Sequence, residues 1–250
     1  LRTAGRVRLC VGAFEARDFD QLFDGVRQIR WEDYLPRDAA FPVGCRLVNS
    51  QIKSPPDTQA IVKKAVAERL GSVYHLGRLP ESGGERPIEA HIYRDRVTLS
   101  IDTSGAPLHR RGYRVLNADA ALRETLAAAL VLLSRWRPEA PFSDPFCGSG
   151  TLCVEAALIG RGIAPGIGRT FGAEDWPILP AALWRQAREE ARDSVSASVL
   201  SIEGADIDAA ALSMAQTHAR RAGVADSIRF RRTDARRFAS DIPGGFIVTN

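Results

Sequence analysis

Asp144-Pro145-Phe146-Cys147-Gly148-Ser149-Gly150-Thr151 is the stretch whose reading decides the fold. Gly148 and Gly150 let the backbone turn tightly and pass close to a ligand. Phe142 begins a strand that runs into Asp144, and a helix is expected from about Ser149. Beyond it the pattern alternates: strand Leu200 to Asp206, helix Ala209 to Ala222, strand Ser227 to Arg231, strand Phe246 to Thr249. Alternation of this kind predicts an α/β fold with a doubly wound parallel sheet, in which ligands sit beyond the carboxyl ends of the strands.

Three cofactor classes use such a turn. A P-loop needs G-x-x-x-x-G-K-[ST], and no lysine occurs here. A dinucleotide turn wants a third glycine or alanine and an acid roughly 20 residues on. This sequence has Cys153 in that place, and its next strand-ending acid is the distant Asp206, so a dinucleotide is disfavoured unless an insertion intervenes. S-adenosylmethionine needs no phosphate cradle. It needs a glycine turn, an acid after the second strand and a polar residue after the third. Asp206-Ile207 and Thr233-Asp234-Ala235 supply these. One carboxylate can accept both hydrogen bonds of a ribose diol, and a second can accept from the adenine amine. Asp208 reads as a helix N-cap. The cofactor-binding set is therefore Asp144, Phe146, Cys147, Gly148, Ser149, Gly150, Thr151, Asp206, Ile207, Asp234 and Ala235. Cys147 reads as a small packing residue, since no histidine partner is evident.

The N-terminal part is mixed α+β. Strands are expected over 7–14 and 41–48. Asp18 caps a helix burying Phe19, Leu22, Phe23, Val26 and Ile29. A second helix runs from Pro55 to about Leu70, with Gly71 as its C-cap. Ile88 to Tyr93 and Val97 to Ile101 form a hairpin around Arg94-Asp95-Arg96. An Ala/Leu-rich helix, Ala120 to Trp136, then leads into the cofactor turn.

With 250 residues, 45% of them hydrophobic, there is material for one or two domains. No apolar run approaches the roughly 20 residues of a membrane span. Cys10, Cys45, Cys147 and Cys153 make no C-x-x-C pair and the four histidines are scattered, so no metal site is expected. A net charge of +4 is compatible with nucleic acid. The first residues carry no initiator Met and no signal pattern. A cytoplasmic protein lacking its start is expected.

The turn followed by Glu155-Ala156-Ala157 resembles the THUMP-domain class I RNA methyltransferases, and within them the bacterial branch that includes the N-terminal half of the large-subunit rRNA guanine-N2 methyltransferase. Matching stretches cover most of the chain: Ala4-Gly5-Arg6-Val7; Ser104-Gly105 to Leu108-His109-Arg110-Arg111-Gly112-Tyr113-Arg114; Leu122 to Ala128; Ile163-Ala164-Pro165-Gly166 to Arg169-Thr170-Phe171; and Ala222-Gly223-Val224. Ala121 departs from the family's usual proline. Val248-Thr249-Asn250 resembles the approach to the family's N-P-P-Y motif, of which Asn250 alone is present.

The resemblance implies a THUMP-containing RNA-binding domain over 1–116, N-terminally truncated, and a Rossmann-like class I methyltransferase domain over 117–250, C-terminally truncated with an incomplete sheet. It implies S-adenosylmethionine as cofactor and RNA as partner, rRNA first and tRNA as the alternative. The activity implied is transfer to an exocyclic base amine, N2 of guanine, with Asn250 holding that amine. An RNA-binding protein with an inactive methyltransferase domain is the reading from another class. Such a fragment is expected to have low stability or no turnover. Tyr113 among Arg110, Arg111 and Arg114 is a candidate RNA contact, as is Lys53. Trp176 is read either as a lid or as a packing anchor of the insertion. His75, His91, His109 and His218 read as surface or strand residues.

Overall fold

The computed structural model describes residues 1–114, 122–239 and 244–250. Ala121, the start of the helix expected from Ala120 and the expected boundary at 116/117 lie outside the described residues. The chain forms two compact units. One comprises Arg6–Ala106 with Thr170–Trp184; the other comprises Leu1–Gly5, Pro107–Arg169 and Arg185–Asn250. These compact units interleave along the chain, whereas the sequence reading divides it contiguously. Residues 107–114 go with the second unit because Arg111 and Tyr113 bury there against Glu155. Residues 170–184 go with the first because Ala173 and Trp176 enter its core.

The first unit carries strands β1 (Arg8–Glu15), β2 (Val43–Val48), β3 (Ile88–Tyr93) and β4 (Arg96–Asp102), ordered β1-β4-β3-β2. Only β2 and β3 run parallel. Helices α1 (Phe19–Gln28) and α2 (Pro55–Tyr74) bury Leu22, Val26, Val62, Val66 and Leu70 into a core shared with Ile88, Ile92, Leu99 and Ile101. The α1 N-cap is as expected: Asp18 accepts from Gln21 N at 2.8 Å. The end of α2 is not. It continues one turn past Leu70, and His75 takes the left-handed φ of 55° instead of Gly71. Gly71 serves the return of the chain, since a Cβ there would lie 2.9 Å from the Leu76 carbonyl oxygen. The β3–β4 hairpin closes through Arg94 and Asp95, both at positive φ (49° and 63°), as a two-residue turn of the twisted kind requires. Asp95 is held there by Ser50 Oγ and Gln51 N, which hold its carboxyl below the usual range.

In the second unit β5 (Phe142–Asp144), β6 (Ile202–Asp206), β7 (Ile228–Arg232) and β8 (Phe246–Ile247) form a wholly parallel sheet, ordered β7-β6-β5-β8. The chain order reverses beside β5, which places the switch point of the sheet at the end of β5. Helices α4 (Thr151–Gly160) and α6 (Ala209–Arg221) pack on this sheet, and α3 (Glu124–Leu133) packs on α4. A further helix, α5 (Ala181–Asp193), belongs to the first unit up to Trp184 and to the second from Arg185; none of its residues is fully buried, and it was not anticipated from sequence. Thr151 to Leu158 of α4 are all buried, so α4 is the spine of this unit.

Candidate functional site

Asp144 ends β5, Asp206 ends β6 and Asp234 follows β7, so three carboxylates lie at the same edge of one sheet. A cleft of about 540 Å³ opens there, lined by Phe146, Asp206, Ile207, Asp234 and Ala235 together with Pro145, Thr233, Arg236 and Phe238. The structure thus brings five of the expected cofactor residues to one cavity. Phe146 and Ile207 are 60% and 63% exposed, which leaves two apolar side chains open to a flat ligand. The other expected residues are not among those lining this cleft. Asp144, Cys147, Ser149, Gly150 and Thr151 are buried, and Gly148 is partly exposed.

Asp206 fixes the turn. Its Oδ2 accepts from Gly148 N at 2.8 Å and its Oδ1 from Asp208 N at 2.9 Å. Asp208 caps α6, accepting from Ala210 N at 2.8 Å, as read from sequence. Asp144 is almost wholly buried. Desolvation pushes its carboxyl up to about 6, with neighbouring Asp206 adding to the rise, against hydrogen bonds from Thr249 and Phe146 N that favour the charged form. Asp234 is held low by the Arg236 guanidinium that grips its carboxylate, and it caps the following turn through Arg236 N. Burial pushes the Cys147 thiol far up, consistent with its packing role.

The two glycines of the turn differ. A Cβ on Gly150 (φ +78°) would lie 2.8 Å from Ala215 Cβ and 3.2 Å from Phe230 Cζ. One on Gly148 (φ +51°) would meet nothing within 4 Å. Gly150 is required for α4 to pack on α6, whereas the space beside Gly148 is free for a ligand. Gly150→Ala is expected to lower the unfolding free energy by about 2–4 kcal/mol, from clash and left-handed strain combined. Gly148→Ala should lose only about 1–2 kcal/mol of stability, with its main effect on ligand affinity. Chemical denaturation of both variants checks this; equal losses would contradict the assignment.

The candidate RNA contacts separate. Arg111 and Tyr113 are corrected: they are 7% and 4% exposed, and Arg111 Nε and Tyr113 OH both donate to Glu155 Oε1, at 3.0 and 3.1 Å. Arg114 is turned to Thr151 Oγ1 at 2.7 Å and lies 3.5 Å from Glu124, so it too is engaged within its unit. Arg110 and Lys53 are exposed. His218 is likewise corrected: it is 2% exposed on α6, with Nδ1 3.0 Å from the Ser149 carbonyl oxygen. Trp176 is buried in the core of the first unit, edge-on to Tyr34, which settles for packing over a lid. Sequence reading also missed Arg236, Phe238 and Thr249. Only their nearness to Asp234 and Asn250 could have drawn attention to them. Among the described residues no cluster suits a metal ion and no helix is long and apolar enough to cross a membrane.

A ligand with a vicinal diol, a planar amine-bearing ring and a compact polar tail fits this donor and acceptor set. Residues 111–250 match the family model described as RMKL-like, methyltransferase domain, and residues 16–102 match the THUMP domain. YpsC of Bacillus subtilis, named as an RNA methyltransferase, is 42% identical over 100% of this chain and 66% of its own length. The ribosomal RNA large subunit methyltransferase K/L of Psychromonas ingrahamii is 33% identical over 100% of this chain and 34% of its own. The chain therefore spans about two thirds of the first of these relatives and one third of the second. Among solved structures, a predicted N6-adenine-specific DNA methylase from Listeria monocytogenes superposes with a TM-score of 0.95 at 48% identity, covering 100% of this chain and 66% of that one. SMU.472, described as a methyltransferase and solved with SAH, gives 0.90 at 39% identity, covering 98% and 66%.

Proposed function

Since this chain belongs to the RMKL-like methyltransferase-domain family and carries a THUMP domain, we propose that it is the cofactor-binding and RNA-binding part of an RNA methyltransferase that forms N2-methylguanosine in large-subunit rRNA. The cofactor is S-adenosylmethionine. The observation that carries the reading is the convergence of Pro145 and Phe146 of the turn, Asp206 and Asp234 on one cleft, with Asn250 following β8 at the same sheet edge.

In this reading Asp206 holds the ribose diol and Asp234 the adenine amine, with Phe146 and Ile207 along the ring. Gly148 leaves room for the polar tail. When bound, the cofactor supplies an electrophilic methyl group on a sulfonium. The protein's part is placement: it brings the nitrogen lone pair in line at near-attack distance. Asn250 accepts a hydrogen bond from the exocyclic amine, which turns its lone pair towards the methyl. Arg110 and Lys53, both exposed, meet phosphates. Proteins that modify a base take it out of its stack, so the target amine reaches Asn250 on a base displaced from its neighbours.

The rRNA preference follows the Psychromonas relative, whose name specifies large-subunit rRNA. A second reading, methylation of adenine N6, takes its support from the description of the Listeria structure. Both targets are exocyclic amines, and the same asparagine chemistry serves either. The test is methyl transfer from labelled S-adenosylmethionine to rRNA, tRNA and DNA lacking endogenous methylation, followed by nucleoside mass spectrometry. N2-methylguanosine in 23S rRNA is expected. N2-methylguanosine in tRNA alone, or N6-methyladenosine in any substrate, would replace this reading.

A further inference from the structure

The cofactor turn and the strand bearing Asn250 are joined at one buried oxygen. Asp144 is 2% exposed. Its Oδ1 accepts from Phe146 N, in the turn, at 3.1 Å, and from Thr249 Oγ1, beside Asn250, at 2.7 Å. The two donors come from opposite sides of the reaction as read above: one from the element that holds the methyl donor, the other from the element that holds the accepting amine. The backbone alone does not make this junction. β8 is two residues long at the sheet edge, and its backbone bonding to β5 ends at Val248 N donating to Ser143 O at 3.0 Å. Past that point the Thr249 hydroxyl is the remaining hydrogen bond of residues 249–250 among the described residues.

We propose that Thr249 is a positioning residue for methyl transfer, its hydroxyl locking the Asn250 segment to the cofactor turn through Asp144. This rests on the methyl-transfer reading above. A threonine hydroxyl at this place does what a β-branched apolar side chain of the same shape does not: it ties the segment to the turn in direction as well as in space. Any shift of the turn is passed to Asn250, and the separation of donor and acceptor is held constant. The groups facing the Asp144 carboxyl are Asp206 from β6, Cys147 on the turn and Cys153 from α4. None of them is a cation. The ionised form of Asp144 therefore depends on its two hydrogen-bond donors. Removing the hydroxyl raises the carboxyl further, so any activity requiring the ionised form loses its acid limb at a higher pH.

The test uses Thr249→Val, which keeps shape, and Thr249→Ser, which keeps the hydroxyl, in the full-length protein. Calorimetry with S-adenosylhomocysteine should give affinities for both within about 2-fold of wild type. For Thr249→Val, kcat should fall roughly 10- to 100-fold, the scale of a misplaced reacting group, with KM for the cofactor unchanged and the acid limb of kcat moved to higher pH. Thr249→Ser should restore most of both. Hydrogen exchange at residues 247–250 should accelerate in Thr249→Val alone. A Thr249→Val protein with wild-type kcat, or one whose cofactor affinity falls in step with kcat, or a Thr249→Ser protein as impaired as Thr249→Val, overturns the proposal. A wild-type protein that methylates no RNA defeats only the methyl-transfer reading. The exchange measurement still decides the link: unchanged exchange in Thr249→Val shows that the hydroxyl holds nothing in place.

Discussion

Arg111→Met is expected to destabilise the second unit by about 3–5 kcal/mol, the usual cost of leaving a buried charge without its partner. Glu155 is 0% exposed on α4, and its Oε2 has no hydrogen-bond partner among the described residues. Its Oε1 takes Arg111 Nε and Tyr113 OH. Without Arg111 the carboxylate keeps one neutral donor and the more distant charge of Arg2. Arg111 also donates to the carbonyls of Arg2 and Leu108, so its loss loosens the first residues of the chain as well. The pH dependence has a definite sign. Desolvation already raises the Glu155 carboxyl, against the lowering influence of Arg111; removing the arginine raises it further. A carboxyl raised in the folded state stabilises the fold at low pH and loses that contribution as pH rises through its folded value. The deficit of Arg111→Met should therefore be full at pH values above the raised folded value and shrink as pH falls through it towards the ordinary carboxylate range. Urea denaturation across that range measures it, and Arg111→Met combined with Glu155→Leu should recover most of the loss. A pH-independent deficit, or one below about 1 kcal/mol, would mean that the pair behaves as a surface ion pair. RNA affinity measured well below the melting temperature should be unchanged, which separates this residue from Arg110.

That example marks how far the sequence could be read. The cofactor turn and its acids were legible because their meaning is local: a strand, a glycine pair and a helix start, repeated as strand-end acids at Asp206 and Asp234. Nothing local tells whether Arg110-Arg111-Gly112-Tyr113-Arg114 faces solvent or a buried carboxylate. Its partner, Glu155, stands 44 positions away on a helix with no other charged residue. The same holds for His218, whose spacing on α6 fits a buried face but whose acceptor is a backbone carbonyl in a distant loop. The hairpin register was accessible from alternation, yet its turn has no glycine; Arg94 and Asp95 adopt positive φ because Asp95 gains side-chain partners there. Trp176 could be named as an anchor but not placed, since burial in the first unit depends on Tyr34 and on Arg86, which pairs with Asp175. Helix α5 escaped because none of its residues is fully buried and, among the described residues, Trp184 alone of this helix packs partly against a core, so apolar periodicity had little to mark it.

Asp206→Ala is expected to weaken S-adenosylmethionine binding about 100-fold or more, the largest effect of any single change in the cleft. A carboxylate offers about four lone-pair sites. Two are used inside the protein, by Gly148 N at 2.8 Å and Asp208 N at 2.9 Å. The remaining two are free for the ribose diol, where each hydrogen bond to a charged acceptor contributes about 1.5–3 kcal/mol. The alanine variant loses both and also releases Gly148, so the turn loses its preorganised shape. The fold should suffer less, since Asp206 is partly exposed and water replaces it at both amides. Asp206→Asn is a sharper probe. Its amide oxygen can still accept, but its NH2 must face a backbone N–H or the diol, so one good acceptor becomes a donor; affinity near that of alanine is expected. Asp234→Ala should lose only about 10-fold, because Arg236 occupies that carboxylate and a ligand amine must displace it. Calorimetric titration of the three variants with S-adenosylmethionine and S-adenosylhomocysteine orders these effects. An Asp206→Ala protein that binds either ligand within about 3-fold of wild type would remove the diol from Asp206 and, with it, the placement of the cofactor along this edge of the sheet.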